Sequence, residues 1–181
     1  MSIEIYALEV TGALQTVNST ALTTCIREIE KTIKGGKKIM VAGNGGSAAI
    51  ASHFVTDLSR CTLGGSSIVK SLSLNDNLAV VTATANDFGY EAIFEYQISR
   101  LGEEGDLLIV ISSSGNSQNI INAIQSAKTK EMKSVSLTGF DGGKAAAISD
   151  IAIIAKTEKG NYGPTEDTHA ILCHYIARTL K

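Results

Sequence analysis

Three groups of side chains in this sequence have the types and spacing to do chemistry. The first is the turn Gly43–Asn44–Gly45–Gly46–Ser47, which follows the apolar run 39–41 and precedes an Ala-rich stretch, 48–58. That order reads as a buried strand, a tight turn and a helix. The glycines let backbone come close to a ligand, and Ser47 stands where the helix opens with unpaired N–H groups and a positive dipole end, so an anion is expected there. The second group lies on the same helix: His53 and Asp57 are four residues apart and share a face, within reach of whatever the turn holds. The third is Ser112–Ser113–Ser114–Gly115–Asn116–Ser117, whose four hydroxyls around a glycine directly precede a helical stretch, 118–129. Such a loop is a cage of donors suited to phosphate.

Simpler readings account for less. The first turn fits the loose dinucleotide pattern G-x-G-x-x-A, but a nicotinamide cofactor also asks for an acid about twenty residues on, at the end of the second strand. This chain has Val69 and Lys70 there. A glycine turn made only for close helix packing leaves the Ser-rich loop at the same sheet edge without a purpose.

The elements that must position these groups follow from periodicity. Ile3, Tyr6, Val10, Leu14 and Val17 recur at helical spacing, as do Leu22, Cys25, Ile26, Ile29 and Ile33 after a break at 18–20. Two helices over residues 1–36 therefore precede the first strand, as a cap on the core or, for part of the first, a surface against another subunit. After Gly64 and Gly65 come a short strand (68–74), a helix (75–85), a turn at Asn86–Asp87–Phe88–Gly89 and further helix (90–101). Strands are expected at 106–111, 133–137 and 151–155, with a short helix after the glycines at 142–143. The closing helix is expected to start near Thr165 as N-cap, with Glu166 and Asp167 in its first turn, and carries His169 and His174. Alternating strands and helices make this a single α/β domain, 1–181: a three-layer αβα sandwich on a central parallel sheet, with ligands beyond the carboxyl ends of the strands.

Composition limits the partners. The 181 residues are 44% hydrophobic, enough for one ordinary domain. A net charge of −2 and a sequence pI of about 5.9 give no electrostatic footprint for nucleic acid or an anionic membrane. No apolar run reaches transmembrane length and the N-terminus lacks a signal peptide's basic start, so a soluble, cytoplasmic protein is expected. Cys25, Cys61 and Cys173 have no metal spacing and read as small buried hydrophobes in a reducing compartment.

Taken together, VAGNGGSAAIASHF, TATANDFGYEAIF, GDLLIVISSSGNS, LTGFDGG and EDTHAILCH resemble the sugar isomerase (SIS) domain family, and within it the phosphoheptose isomerases. The motifs run from about residue 37 to 175 in the family's order and spacing. The resemblance implies that the first turn and the Ser-rich loop hold a sugar phosphate. That role carries over to Asn44, Ser47, Ser112, Ser113, Ser114 and Ser117, with Gly45 and Asn116 in the same loops and Asp87 in the NDFG turn. It also implies zinc, held by a His and a Glu of the first helix and a Gln and a His of the last. The positions here are His53, Asp57, Glu166 and His174: two match, while Asp stands for Glu and Glu for Gln. A lone His on an apolar helix is ordinarily a core residue, but this set offers two nitrogen and two oxygen donors suited to zinc. His169 stands about 140° around the helix from His174, so the two cannot face one site, and His174 is the expected ligand.

By the same resemblance the chain would be an aldose–ketose isomerase of sedoheptulose 7-phosphate, making a heptose 7-phosphate for surface polysaccharides. Such a reaction needs a base, an acid and stabilisation of an enediol. Asp57, Glu166 and His174 are the candidate groups, with Asp57 and Glu166 as alternative bases. The family implies a homotetramer with sites built between subunits. The competing class is a non-catalytic phosphosugar-binding or protein-interaction module, since some relatives keep the phosphate loops without the catalytic groups.

Overall fold

The computed structural model describes residues 2–63 and 67–180. The chain runs through α1 (Ile3–Gln15), α2 (Ser19–Lys34), β1 (Lys38–Gly43), α3 (Gly46–Ser59), β2 (Thr62–Leu63), β3 (Ser67–Ile68), β4 (Lys70–Ser73) and α4 (Leu78–Phe88). A 3-10 turn (Tyr90–Ala92), α5 (Glu95–Leu101), β5 (Leu107–Ser112), α6 (Gln118–Thr129), β6 (Lys133–Thr138), α7 (Gly143–Ile148), β7 (Ile151–Ile154) and α8 (Tyr162–Thr179) complete it. Among the described residues, five strands form one parallel sheet in the order β4-β1-β5-β6-β7, and β2 pairs antiparallel with β3 apart from it. The Gly64–Gly65 break lies outside the described residues.

Strand alternation divides the core in two. Ile39, Val41, Ile109, Val135, Leu137 and Ile153 face α2, α3 and α8, while Met40, Ala42, Leu108 and Val110 face α5 and α6. Val41, Ile109 and Val135 lie in register on adjacent strands, so each layer is continuous. This is the expected three-layer sandwich. From β1 the chain moves outward to β4 and then crosses back to β5 on the other side, which makes the gap between β1 and β5 the topological switch point. Both polar loops leave the sheet there. At the opposite end buried Asp106 accepts from the Lys38 and Glu103 amides (2.8 and 2.9 Å) and pairs with Lys38 Nζ at 2.9 Å, tying β1 to the start of β5.

Several boundaries differ from expectation. α4 begins three residues later and runs through Phe88, because Asn77 caps it by accepting from Val80 N at 3.1 Å, and Gly89 with φ 91° ends it. Asp87 is therefore on the last turn of a helix and not in a free turn. β4 stops at Ser73, beyond Val69 and Lys70; the next acid, Asp76, is engaged by Ser52 Oγ at 2.6 Å. α8 starts at Tyr162 and not at Thr165. Pro164 is accommodated because a first-turn residue has no intrahelical use for an N–H. Thr165 is buried, donates to Asn161 O at 2.8 Å and meets Thr157 Oγ1 at 2.6 Å.

α1 packs along the start of α8, where Tyr6 donates to Asp167 at 2.7 Å and Asn161 donates to Glu9 at 3.0 Å. Its Ile3, Ile5 and Leu8 remain exposed.

Candidate active site

The β1–α3 turn is shaped by close approaches that only glycine allows. A Cβ on Gly43 would strike the Ser47 backbone, and Gly45 adopts φ 55°. Asn75 splints the turn, accepting from Gly43 N at 3.2 Å and donating to Gly43 O at 2.8 Å. α3 has no side-chain cap, and Ser117, the N-cap residue of α6, makes no capping bond. Two helix N-termini thus open with free amides at neighbouring strand ends, an arrangement that favours an anion.

The Ser-rich loop keeps its protons available. Ser112 Oγ accepts from Gly115 N at 3.1 Å and Ser114 Oγ accepts from Asn116 N at 3.2 Å. Each hydroxyl therefore uses a lone pair on its own loop and still has an O–H to donate. Ser113 Oγ is buried with no partner among the described residues. Gly115 has φ 62° and a Cβ there would strike the Gly142 backbone, while Asn116 Oδ1 accepts from Lys144 N at 3.2 Å and holds the loop to α7. Ser47 is buried at the opening of α3.

Asn44 is held from two directions. It exchanges amide hydrogen bonds with Asn119 of α6, both 2.9 Å, and accepts from the Tyr90 hydroxyl at 2.9 Å. Neither Asn119 nor Tyr90 is evident from motif spacing. The available signal is an Asn set among Ile120, Ile121, Ala123 and Ile124, where an unpaired amide would be costly.

One and a half turns along α3 from Ser47, His53 meets His174 of α8. Their Nε2 atoms are 3.0 Å apart, and Asp57 Oδ2 lies 3.4 Å from the first and 3.7 Å from the second. These are the described residues whose donor atoms could hold a metal ion together. Ligands about 2.0–2.1 Å from a tetrahedral zinc stand about 3.3 Å from one another, so the three atoms fit such an ion. Two imidazole nitrogens 3.0 Å apart need a proton or a metal between them, and both rings are more than half exposed. The helices that carry them are locked by Phe54, Leu58, Leu172 and Ile176, and Cys61 Sγ lies 3.3 Å from both Asp57 O and Ala177 O.

The other expected residues go elsewhere. Glu166 is two turns before His174, about 12 Å along α8, and its carboxylate packs against Gly46, where a Cβ would collide with it. The chain by itself thus brings together three of the four expected ligands and sets Glu166 beside the anion turn. Asp87 bonds to Asn86 at 2.8 Å and lines a cleft with Ala83, Thr84 and Tyr96. His169 is fully buried on the sheet-facing side of α8. Burial lowers its imidazole to about 4, the Thr138 backbone opposing to a smaller extent, short of hydrogen-bond geometry.

Comparison with known proteins bears on this arrangement. The SIS domain model matches residues 6–139. A phosphoheptose isomerase of Helicobacter pylori (strain ATCC 700392 / 26695) is 38% identical over 161 residues, 89% of this chain and 83% of that protein. The structure superposes on a phosphoheptose isomerase from Francisella tularensis with a TM-score of 0.87 at 27% identity, covering 98% and 94% of the two chains. A second, from Neisseria gonorrhoeae, gives 0.87 at 28% identity, covering 98% and 96%.

Proposed function

The chain belongs to the SIS domain family and within it to the phosphoheptose isomerases, and on that premise we propose that it interconverts sedoheptulose 7-phosphate and D-glycero-D-manno-heptose 7-phosphate for surface-polysaccharide synthesis. The observation that carries the reading is that α3 opens in an anion cradle and, about 9 Å further along, presents His53 and Asp57 beside His174. That is the reach of an extended sugar phosphate. The cradle residues Asn44, Gly45, Ser47, Ser112, Ser113, Ser114, Asn116 and Ser117 take the phosphate end, and Asp87 serves the substrate from α4. Binding there is used for orientation of the reacting end.

In the ketose-to-aldose direction a base removes a proton from C1, the C2 oxygen gains a proton, the C1 hydroxyl loses one, and a proton returns to C2. Asp57 or Glu166 is the base, and His174 exchanges the oxygen-borne proton. His53, Asp57 and His174 would hold zinc, with Glu166 reaching it as a fourth donor only from a neighbouring subunit, since in its own chain it lies against Gly46, and a bound zinc would polarise the substrate oxygens. The enzyme is a cytoplasmic homotetramer on this reading, one SIS domain per chain, with residues 1–36 contributing to assembly. Exposed Ile3 and Leu8 on α1 support that role.

Incubating the purified protein with zinc and sedoheptulose 7-phosphate should yield an aldose. Binding of the sugar phosphate without any aldose would instead identify a non-catalytic phosphosugar module.

A further inference from the structure

The amide of Asn44 is more constrained than contact with a phosphosugar requires. Asn44 sits in the turn before α3, Asn119 is the second residue of α6, and Tyr90 opens the 3-10 turn that follows α4. Three separate elements therefore meet at one side chain. Asn119 is 2% exposed, so its amide must be paired to be tolerated. Among the described residues its side chain pairs with Asn44 alone: Asn119 accepts from Asn44 Nδ2 and donates to Asn44 Oδ1.

An amide oxygen has two lone pairs and an amide nitrogen two N–H groups. Asn44 Oδ1 has both lone pairs taken, one by Asn119 Nδ2 and one by the Tyr90 hydroxyl. Asn44 Nδ2 has one N–H taken, by Asn119 Oδ1. In this arrangement the Tyr90 hydroxyl donates to Asn44 Oδ1, which turns the second N–H of Asn44 Nδ2 away from both partners. Among the described residues, what remains unpaired of the Asn44 side-chain amide is a single Nδ2–H.

We propose that Tyr90 and Asn119 are positioning residues that lock the Asn44 amide as a hydrogen-bond donor to the phosphosugar, so that the site selects an acceptor oxygen there and disfavours a ligand that presents a donor. This rests on the phosphosugar-binding part of the reading above and not on isomerisation. The same network joins the anion turn of α3, the first turn of α6 and the segment after Gly89, so it also fixes the spacing of the two helix N-termini that form the cradle.

Tyr90→Phe is the sharp test, because it removes one O–H from a ring that is 55% exposed and leaves the packing alone. Calorimetric titration with sedoheptulose 7-phosphate should give a Kd raised about threefold to tenfold, the size of one net hydrogen bond, with the thermal midpoint held. In an Asn44→Ala background the same change should add nothing, a coupling that a merely structural role for Tyr90 would not produce. Asn119→Ala should weaken binding at least as much and raise KM by more than it lowers kcat. A Tyr90→Phe protein that binds like wild type, or that weakens binding equally in both backgrounds, overturns the proposal. Wild-type protein that binds the sugar phosphate but makes no aldose counts against the isomerase reading and leaves this test decisive; wild type that binds no sugar phosphate overturns both.

Discussion

At the scale of single residues, the trio on α3 and α8 makes the most direct prediction. Protein purified without chelator or affinity tag should carry zinc at about one ion per subunit, and His174→Ala or His53→Ala should lose it, as read by metal analysis. Glu166 poses a separate question. It stands where the family resemblance implies a Gln, and its carboxylate lies against Gly46 at the opening of α3, away from the trio. Asp57 is one methylene shorter than Glu, so it can serve the metal and still fall short of a substrate carbon. If the duty of base has passed to Glu166, Glu166→Gln should keep its zinc while turnover falls about 10²-fold or more. Near-normal turnover in that variant would return the base to Asp57. Residue spacing was sufficient to pair His53 with Asp57, whereas the separation of Glu166 from the trio depends on how α8 lies across α3.

At the scale of elements, α8 does two jobs on two faces. His174 points to the trio, while His169 is buried against the sheet with Leu172, Cys173 and Ile176. Burial holds the His169 imidazole down to about 4 from an ordinary 6.5. Unfolding releases an imidazole that takes up a proton below 6.5. The folded state therefore has this stability in full above about pH 6.5 and loses it as pH falls toward 4, by about 3 kcal/mol in all. Urea denaturation with a chelator present should show that acid limb, and His169→Leu should flatten it. An unchanged slope in the variant would mean that other groups produce it. The start of α8 illustrates how an element boundary escapes pattern reading: Pro164 and Gly163 look like loop residues, yet both are accepted in a first turn whose N–H groups have no intrahelical partner.

For the whole molecule, the unburied apolar side chains are concentrated on the outer elements. Ile3, Ile5 and Leu8 of α1, Leu78 and Phe88 of α4, and Ile171 and Tyr175 of α8 are all exposed in the single chain. Assembly into a homotetramer would cover such surfaces. Replacing Ile3 and Leu8 together by Asp should shift the protein to a smaller species in sedimentation velocity, with secondary structure retained by circular dichroism. A double variant that sediments like wild type would remove α1 from the interface.

The sequence by itself determined the α/β alternation, the two phosphate-type loops and the His53–Asp57 pair. Each of these rests on local order: period-two and 3.6-residue patterns, glycine at positions of close approach, and a fixed four-residue rise on one helix. Only the tertiary structure decided what met what across the sheet. The crossover from β4 back to β5 brought the two loops to one switch point. The packing of α3 on α8 set His174 at 3.0 Å from His53 and left Glu166 beside Gly46. The Asn44–Asn119 pair joins residues 75 apart in sequence, and Tyr90 reaches Asn44 from a third element. Long-range pairings of this kind leave no periodic trace, because their partners are chosen by strand order and helix crossing rather than by neighbours along the chain.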